Sequence, residues 1–135
     1  MKKKILLEAV TDNLYPLLDI VDEELNKAEC DQAVITDVNI CIEEIFVNIA
    51  SYAYGEQKGQ AEMEVTIEDQ LFSMIFKDSG IPYNPLERKT PDIGAGVQER
   101  KVGGLGVYMV KKMMDSVSYD YKEGMNCLKI TKTIK

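Results

Sequence analysis

The sequence contains no histidine. This absence excludes Ser-His-Asp and Cys-His nucleophilic triads in their usual form, histidine-ligated zinc and any histidine phosphoacceptor within the chain. Cysteine is scarce as well, because Cys30, Cys41 and Cys127 are too few and too scattered for a disulfide framework or a metal site. We expect them to be small buried side chains of a protein in a reducing cytoplasm. The chemistry of the chain must therefore use carboxylates, amides, backbone groups, lysine and arginine.

Long apolar runs and excess positive charge are also missing. No apolar run approaches the roughly 18 residues that a membrane-spanning helix requires. The formal net charge is −7 and the pI is near 4.7, so the surface repels the phosphates of nucleic acids. A phosphate ligand would need local help from backbone N–H groups, a cation, or a few lysines and arginines. We therefore expect neither a membrane nor a nucleic acid as a direct partner.

The apolar pattern predicts one domain over residues 1–135. It indicates a strand over 2–10, helices over 13–29 and 31–54, and a β-hairpin over 63–77. A third helix over 103–114 and a second hairpin over 117–134 follow. Because hairpins flank the helices, the pattern predicts an α+β fold. We expect a two-layer α/β sandwich with a mixed, mostly antiparallel sheet and helices on one face. Residues 87–102 contain prolines and glycines without apolar periodicity, which predicts a mobile loop.

The first candidate for chemistry is the pair Glu44 and Asn48 on the second helix. Residues four apart lie on one face of a helix, and most of this helix is apolar and predicted to be buried. A buried carboxylate is unfavourable unless it is paired, ligated or protonated. An asparagine oxygen suits Mg²⁺, and the carboxylate could act as a general base. The alternative is that Glu44 lies on an exposed stripe with Asp37 and Ser51.

The second candidate is Asp78, at the end of a predicted strand and followed by Ser79 and Gly80. An aspartate at this position commonly caps a turn, which is one interpretation. The other is that its carboxylate accepts a hydrogen bond from an exocyclic amine of a ligand. In that case Gly80 would allow a ring to approach the backbone.

The third candidate is the glycine cluster over residues 103–106, which precedes a helix. The N–H groups and the positive dipole end of a helix start can bind an anion. The cluster lacks the Gly-Lys-Ser/Thr of a P-loop and the third glycine of a dinucleotide fingerprint, so it could equally be only a helix start. Arg100 and Lys101 could neutralise phosphate, or could be solvated surface side chains.

Three motifs together resemble a known superfamily. Glu44-Ile-Phe-Val-Asn48, with Tyr52-Ala-Tyr54 after it, resembles the N box of the GHKL ATPases, which include gyrase, MutL and histidine-kinase catalytic domains. Asp78-Ser-Gly-Ile-Pro82 resembles the first glycine box, and Gly104-Leu-Gly106-Val-Tyr-Met resembles the second. The spacing is most similar to the stand-alone anti-sigma factor serine kinases of bacteria. The resemblance implies the Bergerat ATP-binding fold, with the mobile loop as an ATP lid.

The resemblance also implies roles for individual residues. These are Glu44 as general base, Asn48 as Mg²⁺ ligand, Asp78 at the adenine amine, Gly80 close to the base, Gly104, Leu105 and Gly106 at the phosphates, and Arg100 and Lys101 near them. The chain departs from the family pattern in three places. Tyr52 stands where histidine is frequent, Pro82 stands where glycine is common, and Gly124-Met125-Asn126 replaces a Gly-Thr-Thr-like segment. At the last of these we expect the loss of a hydroxyl near adenine.

Two functions follow from this resemblance. In the first, the protein is an ATP- and Mg²⁺-dependent serine/threonine kinase. It phosphorylates an anti-anti-sigma protein of the STAS type and sequesters a sigma factor, generally as a homodimer. In the alternative, it is a non-catalytic, nucleotide-gated binding module that controls a transcription regulator.

Overall fold

The computed structural model describes residues 1–87 and 104–134. Its regular elements are β1 (Lys2–Glu8), α1 (Leu14–Lys27), α2 (Gln32–Asn48), β2 (Gln60–Glu68), β3 (Leu71–Asp78), α3 (Gly104–Met113), β4 (Ser116–Lys122) and β5 (Met125–Thr133). Shorter turns are the 3₁₀ segments Thr11–Asn13 and Pro85–Glu87, and a π-helical turn at Ile49–Ala53 directly after α2. None of the described helices is both long and apolar enough to cross a bilayer.

The five strands form one sheet in the order β1-β2-β3-β5-β4. The α1–α2 hairpin returns the chain to the end of the sheet that it left, so β2 pairs with β1 in the antiparallel direction. The single helix α3 makes β4 run parallel to β3, but β5 lies between them and is antiparallel to both. The α+β prediction is confirmed. Every pairing in the described part of the sheet is antiparallel, where we expected some parallel pairing.

Two tight hairpin turns fix the register of the sheet. Asp69 and Gln70 join β2 to β3 with φ of 51° and 66°, and Glu123 and Gly124 join β4 to β5 with φ of 55° and 76°. Two consecutive residues with positive φ are typical of the type I′ turn, whose twist matches that of the strands. The resulting register places Asp78 opposite Asn126. The site described below depends on this pairing.

One face of the sheet packs against the helices and forms the core. Its fully buried side chains include Met63, Met74, Phe72 and Ile130 from the sheet and Leu17, Val38, Ile42 and Phe46 from the helices. Burying one such side chain stabilises the fold by about 1.5–3 kcal/mol. Helix α2 lies between α1 and α3, which explains its apolar circumference. The prediction that α2 is a buried helix is confirmed.

The opposite face of the sheet carries an ion-pair cluster. Lys77 Nζ lies 2.7 Å from Glu64 Oε2 and 3.6 Å from Glu62 Oε2, and Lys2 Nζ lies 3.4 Å from Glu64 Oε1. The hydrogen bond from Lys77 lowers the pKa of Glu64, although burial of that carboxyl acts in the opposite direction. The cluster therefore keeps a buried carboxyl ionised.

The three cysteines are free thiols, as expected. Cys41 and Cys127 are buried, while Cys30 is partly buried. Burial raises the pKa of Cys41 to about 11. A thiol of this kind behaves as a small apolar side chain at neutral pH.

Candidate functional site

A cavity of about 250 Å³ opens between α2, the π-helical turn and the ends of β3 and β5. Its lining consists of Glu44, Ile45, Asn48, Ile49, Tyr52, Ala53, Phe76, Asp78, Ile81, Tyr83, Pro85, Val107, Tyr119, Asn126 and Leu128. Most of these residues are apolar or aromatic, and the few polar groups are concentrated on α2 and at the strand ends. The cavity therefore brings together the N-box pair and Asp78, which lies 34 residues after Glu44 and 30 residues after Asn48 in the sequence.

Glu44 and Asn48 form the α2 wall of the cavity. Both are half-buried, and the Asn48 amide nitrogen lies 3.5 Å from Glu44 Oε1. The amide nitrogen therefore faces the carboxylate, so the amide oxygen is the Asn48 atom suited to a cation. The exposed-stripe alternative for Glu44 is wrong, because Ser51 is exposed while Glu44 lines the cavity. Asp37, whose Oδ2 lies 3.9 Å from Lys132 Nζ, is likewise not among the residues that line the cavity.

The Glu44 side chain also touches the first turn of α3. A Cβ atom placed on Gly106 would lie 1.7 Å from Glu44 Oε1, which no side chain could tolerate without displacing the glutamate. Glycine at position 106 thus permits this close approach. The contact places the carboxylate beside the positive end of the α3 dipole.

Asp78 is only 5% exposed and lies at the end of β3, where it lines the cavity together with the α2 wall. Its Oδ1 accepts hydrogen bonds from the Gly80 backbone N–H at 3.0 Å and from Asn126 Nδ2 at 2.9 Å. Burial raises the pKa of Asp78, and these two hydrogen bonds oppose that effect. Among the ion pairs of the described residues, none involves Asp78. Within residues 1–87 and 104–134, this buried carboxyl thus has neutral donors as its hydrogen-bond partners.

Gly80 joins the Asp78 loop to the π-helical turn. The Ile81 N–H donates to the Ala53 carbonyl at 2.8 Å, and a Cβ atom on Gly80 would lie 2.1 Å from that carbonyl oxygen. The structure therefore requires glycine at position 80 because the Ala53 backbone leaves no room for a side chain. The predicted closeness of Gly80 to a base stays a prediction.

Tyr54 reinforces this junction. Its hydroxyl donates to the Gln60 carbonyl at 2.5 Å and accepts from the Ser79 N–H at 2.9 Å. One side chain thus connects the end of the π-helical turn to the start of β2 and to the loop after β3. The local sequence suggested no such role, since Tyr54 was only part of the N-box resemblance.

Sequence reasoning also missed the polar group at the ends of β4 and β5. Asn126 Nδ2 donates to Asp78, and the Tyr119 hydroxyl donates to Asn126 Oδ1. We expected the Gly124-Met125-Asn126 segment to leave the adenine region without a hydroxyl, but Tyr119 places one in the cavity wall. The alternation of β4 put Tyr119 on the face of Val117. Its contact with Asn126 depends on strand pairing, which local patterns do not reveal.

Several predicted site residues cannot be placed in this cavity. Arg100 and Lys101 lie outside the described residues, as does nearly all of the predicted lid over 87–102. Gly104 and Leu105 begin α3, whose start the glycine cluster predicted. Their proposed contact with phosphates stays a prediction.

Comparison with known proteins defines the class of this fold and site. Residues 7–132 match the family model of the histidine kinase-like ATPase domain. The chain therefore belongs to this family, as the three motifs predicted. The crystal structure of the RsbU and RsbW domains of a Mycobacterium tuberculosis protein has a similar fold, with a TM-score of 0.72 and 15% identity, over 99% of this chain and 32% of that one.

Among individual proteins, the chain is similar to curated proteins named serine-protein kinase RsbW. It is 31% identical to that of Bacillus thuringiensis over 105 residues, covering 75% of this chain and 65% of the relative. It is 28% identical to that of Listeria monocytogenes over 97 residues, covering 68% of this chain and 62% of the relative. The chain thus spans slightly less than two thirds of the length of these relatives.

Proposed function

We propose that this chain is an anti-sigma factor-type serine/threonine kinase that binds Mg·ATP in the cavity described above. The observation that carries the proposal is the convergence of Glu44, Asn48 and Asp78 on one cavity. The names of the curated RsbW relatives support the same class.

The strand end of the cavity is suited to adenine. Apolar side chains such as Ile49, Phe76 and Leu128 form its walls, and Asp78 supplies a buried acceptor. Ligand sites typically combine apolar walls with a few polar groups that fix orientation. The Asp78 carboxylate would accept a hydrogen bond from the exocyclic amine of adenine, while Gly80 would lie near the ring.

The α2 end is suited to Mg²⁺ held together with phosphates. No cluster of three or more His, Cys, Asp or Glu residues exists among residues 1–87 and 104–134 that could hold a metal by protein groups alone. Mg²⁺ commonly takes one or two protein oxygens and completes its shell with substrate phosphates and water. The Asn48 oxygen fits that requirement, and the bound ion would neutralise phosphate charge. Gly104, Leu105 and Gly106, with Arg100 and Lys101, would contact the phosphates.

Glu44 is the proposed general base. It would accept the proton of an attacking serine or threonine hydroxyl while that oxygen forms a bond to the γ-phosphorus and the bond to ADP breaks. The contact between Glu44 and Gly106 supports this role, because it places the carboxylate beside the helix start proposed for the phosphates.

The proposed phosphoacceptor is a serine of an anti-anti-sigma protein of the STAS type. The proposed second partner is a sigma factor, which the protein would sequester in the cytoplasm as a homodimer. The support for both partners is the family membership and the similarity to RsbW proteins. The acidic surface adds support, because it would favour encounter with a basic surface on a partner.

The test is transfer of labelled phosphate from ATP to a purified STAS-domain protein of the same bacterium by wild type and Glu44→Gln. We expect the variant to lose at least about 100-fold in rate, since general bases contribute about 10²–10⁴-fold, and to keep its ATP affinity. The matched control is Glu43→Gln, because Glu43 is the adjacent, exposed carboxylate of the same helix. Equal phosphorylation by Glu44→Gln and wild type would contradict the assignment of the base.

A second function is favoured by Tyr52, which lines the cavity at the position where histidine is frequent in the family. In this alternative the chain is a non-catalytic, nucleotide-gated binding module that controls a transcription regulator. Wild-type protein that binds ATP but transfers no phosphate, and that holds its partner in a nucleotide-dependent manner, would support this alternative.

A further inference from the structure

Asn126 lies where three strands and a loop meet. It is 7% exposed, and as the second residue of β5 it pairs with Asp78 of β3 on one side and Tyr121 of β4 on the other. It also belongs to the lining of the cavity. A buried amide at this place must satisfy its own hydrogen-bonding groups as well as those of its neighbours.

All four hydrogen-bonding positions of the Asn126 amide are used by the protein. Its Nδ2 donates to Asp78 Oδ1 at 2.9 Å and to the Ile81 carbonyl at 3.1 Å. Its Oδ1 accepts from the Tyr83 N–H at 3.0 Å and from the Tyr119 hydroxyl. An amide side chain has two donor hydrogens and two acceptor lone pairs, so it has no further capacity for a ligand. Asn126 therefore influences the cavity through the residues that it holds in place by hydrogen bonds.

Two of those groups belong to the cavity wall after β3. Ile81 and Tyr83 both line the cavity, and Asn126 bonds to a backbone acceptor of the first and a backbone donor of the second. Residues 81–83 belong to no strand of the described structure, and this side chain joins them to β5 through two hydrogen bonds. The wall consequently has a defined shape without any ligand.

The third group is Asp78 itself. The donors from Asn126 and Gly80 both bond to Oδ1, which fixes the orientation of the carboxylate. Oδ2 is then the oxygen suited to accept a hydrogen bond from a ligand. The Nδ2 donor also opposes the rise in pKa that burial imposes on Asp78, and so favours the acceptor form.

We propose that Asn126 is a positioning residue that orients Asp78 and shapes the 81–83 wall for a nucleotide base before the nucleotide binds. This inference rests on the proposed binding of Mg·ATP. It adds a determinant of affinity that makes no hydrogen bond to the nucleotide.

The decisive variant is Asn126→Asp, which keeps the shape of the side chain and its acceptor oxygen but removes both donors. At pH 8 the introduced carboxylate would face the Asp78 carboxylate and the Ile81 carbonyl, both acceptors. We expect ATP affinity to fall by at least about tenfold, the usual effect of leaving buried polar groups unpaired. Two adjacent carboxyls share a proton at a raised pKa. Near pH 5.5 the protonated form can donate again, so the affinity ratio to wild type should move back toward one.

This pH-dependent rescue separates positioning from a purely structural role. Among the described residues, the other titratable groups near the pair are Tyr119 and Tyr121 on β4, Cys127 on β5, Tyr83 on the loop, and Tyr52 and Glu44 across the cavity. They are present in both proteins, so their titration largely cancels in the affinity ratio. A ratio that stays equal to one, or a loss that is independent of pH, would overturn the proposal.

The matched control is Asn39→Asp on α2. Asn39 Nδ2 donates to the Ile35 carbonyl at 2.9 Å, so the variant loses the same kind of bond away from the cavity. We expect its ATP affinity to remain within about twofold of wild type at each pH, as is usual for a distant, independent site.

A measurement without nucleotide keeps this inference distinct from the proposed function. In Asn126→Leu the Tyr83 N–H loses the Asn126 Oδ1 acceptor, and the Tyr119 hydroxyl, which also contacts that N–H, loses the same anchor. Hydrogen exchange of Tyr83 should therefore accelerate at least about tenfold, whereas Asn126→Asp should retain protection. Unchanged Tyr83 exchange in Asn126→Leu would overturn the positioning role. Failure of the wild type to bind ATP, with the exchange effect present, would overturn the proposed function instead.

Discussion

Two buried carboxyls on neighbouring strands have opposite environments. Glu64 on β2 is 9% exposed, and Lys77 and Lys2 pair with it on the outer face of the sheet. Asp78 on β3 is 5% exposed, and the described residues contact it on the helix-covered face with neutral donors only. The pKa of Glu64 is lowered mainly by its hydrogen bond to Lys77, whereas the pKa of Asp78 is raised mainly by burial.

This difference separates a structural carboxyl from a functional one. A buried charge is unfavourable unless the protein pairs it, and Glu64 receives that pairing within the fold. Asp78 lacks an opposite charge among its described partners, so its burial destabilises the protein while leaving an acceptor in the cavity. Carboxyls with pKa values perturbed by burial in a cleft are typical of functional sites. We therefore propose that the outer-face carboxyl contributes to stability and that the cavity carboxyl serves ligand binding.

The largest expected effect is on nucleotide binding by Asp78→Asn. The amide can still accept from Gly80 and Asn126, but it would present its own N–H donors toward the amine of adenine. We expect ATP affinity to fall at least about 100-fold, because a charged acceptor is lost and two donors face each other. Competition of unlabelled ATP against a fluorescent ATP analogue would measure the loss. An affinity within about threefold of wild type would contradict the role of Asp78.

Lys77→Met should have the next largest effect, and it should act on stability alone. Removing this lysine leaves Glu62 and Glu64 close together without their shared partner, which we expect to lower the free energy of unfolding by about 1–2 kcal/mol at pH 7. Urea denaturation measures this change. Lys27→Met is the control, because Lys27 is 64% exposed and its pairs with Glu23 and Glu24 are 3.6 Å long, so we expect less than about 0.5 kcal/mol. Equal losses in the two variants would contradict the importance of the buried cluster.

Two isosteric variants, one at each carboxyl, should change the free energy of unfolding in different ways. At pH 7, Asp78→Asn should leave the free energy of unfolding unchanged or raise it by up to about 1 kcal/mol, because it removes a buried charge. Glu64→Gln should lower it by about 1 kcal/mol, because it removes the charge that Lys77 pairs with. Destabilisation by both variants to the same extent would remove the distinction between the two carboxyls.

The smallest expected effect is the pH dependence of the difference in free energy of unfolding between each carboxyl variant and wild type. The lowered pKa of Glu64 means that its stabilising contribution is present above its unfolded pKa of about 4.5, and disappears as pH falls through the folded value. The raised pKa of Asp78 has the opposite sign, since stability from this group falls as pH rises from about 3.8 through the folded value. Unfolding of each variant and wild type between pH 3 and 7 would show opposite slopes. Slopes of the same sign would contradict the two environments.

Much of this site was predictable from local patterns. The spacing of Glu44 and Asn48 placed them on one helix face, and the strand ending at Asp78 placed that carboxyl at the edge of the sheet. The two hairpins were also predicted, because alternating strands are interrupted at Asp69-Gln70 and at Glu123-Gly124. Each of these inferences needs only a few consecutive residues.

The remaining features depend on long-range pairing. Insertion of β5 between β3 and β4 places Asn126 opposite Asp78, 48 residues earlier in the chain, and no local pattern specifies that register. The contact of Gly80 with the Ala53 carbonyl depends on the π-helical turn, which helical periodicity did not reveal. The Tyr119 hydroxyl enters the cavity wall for the same reason. The wall that shapes the cavity is thus a product of the tertiary fold.

The most direct test of the central claim is calorimetric titration of the wild-type protein with Mg·ATP, Mg·ADP and Mg·GTP. An acceptor at Asp78 favours the amine of adenine and repels the carbonyl that guanine carries at the same ring position. We therefore predict binding of both adenine nucleotides with a Kd of about micromolar, and at least about 100-fold weaker binding of Mg·GTP. Binding of Mg·GTP as tightly as Mg·ATP, or no binding of any nucleotide at about millimolar concentration, would contradict the account.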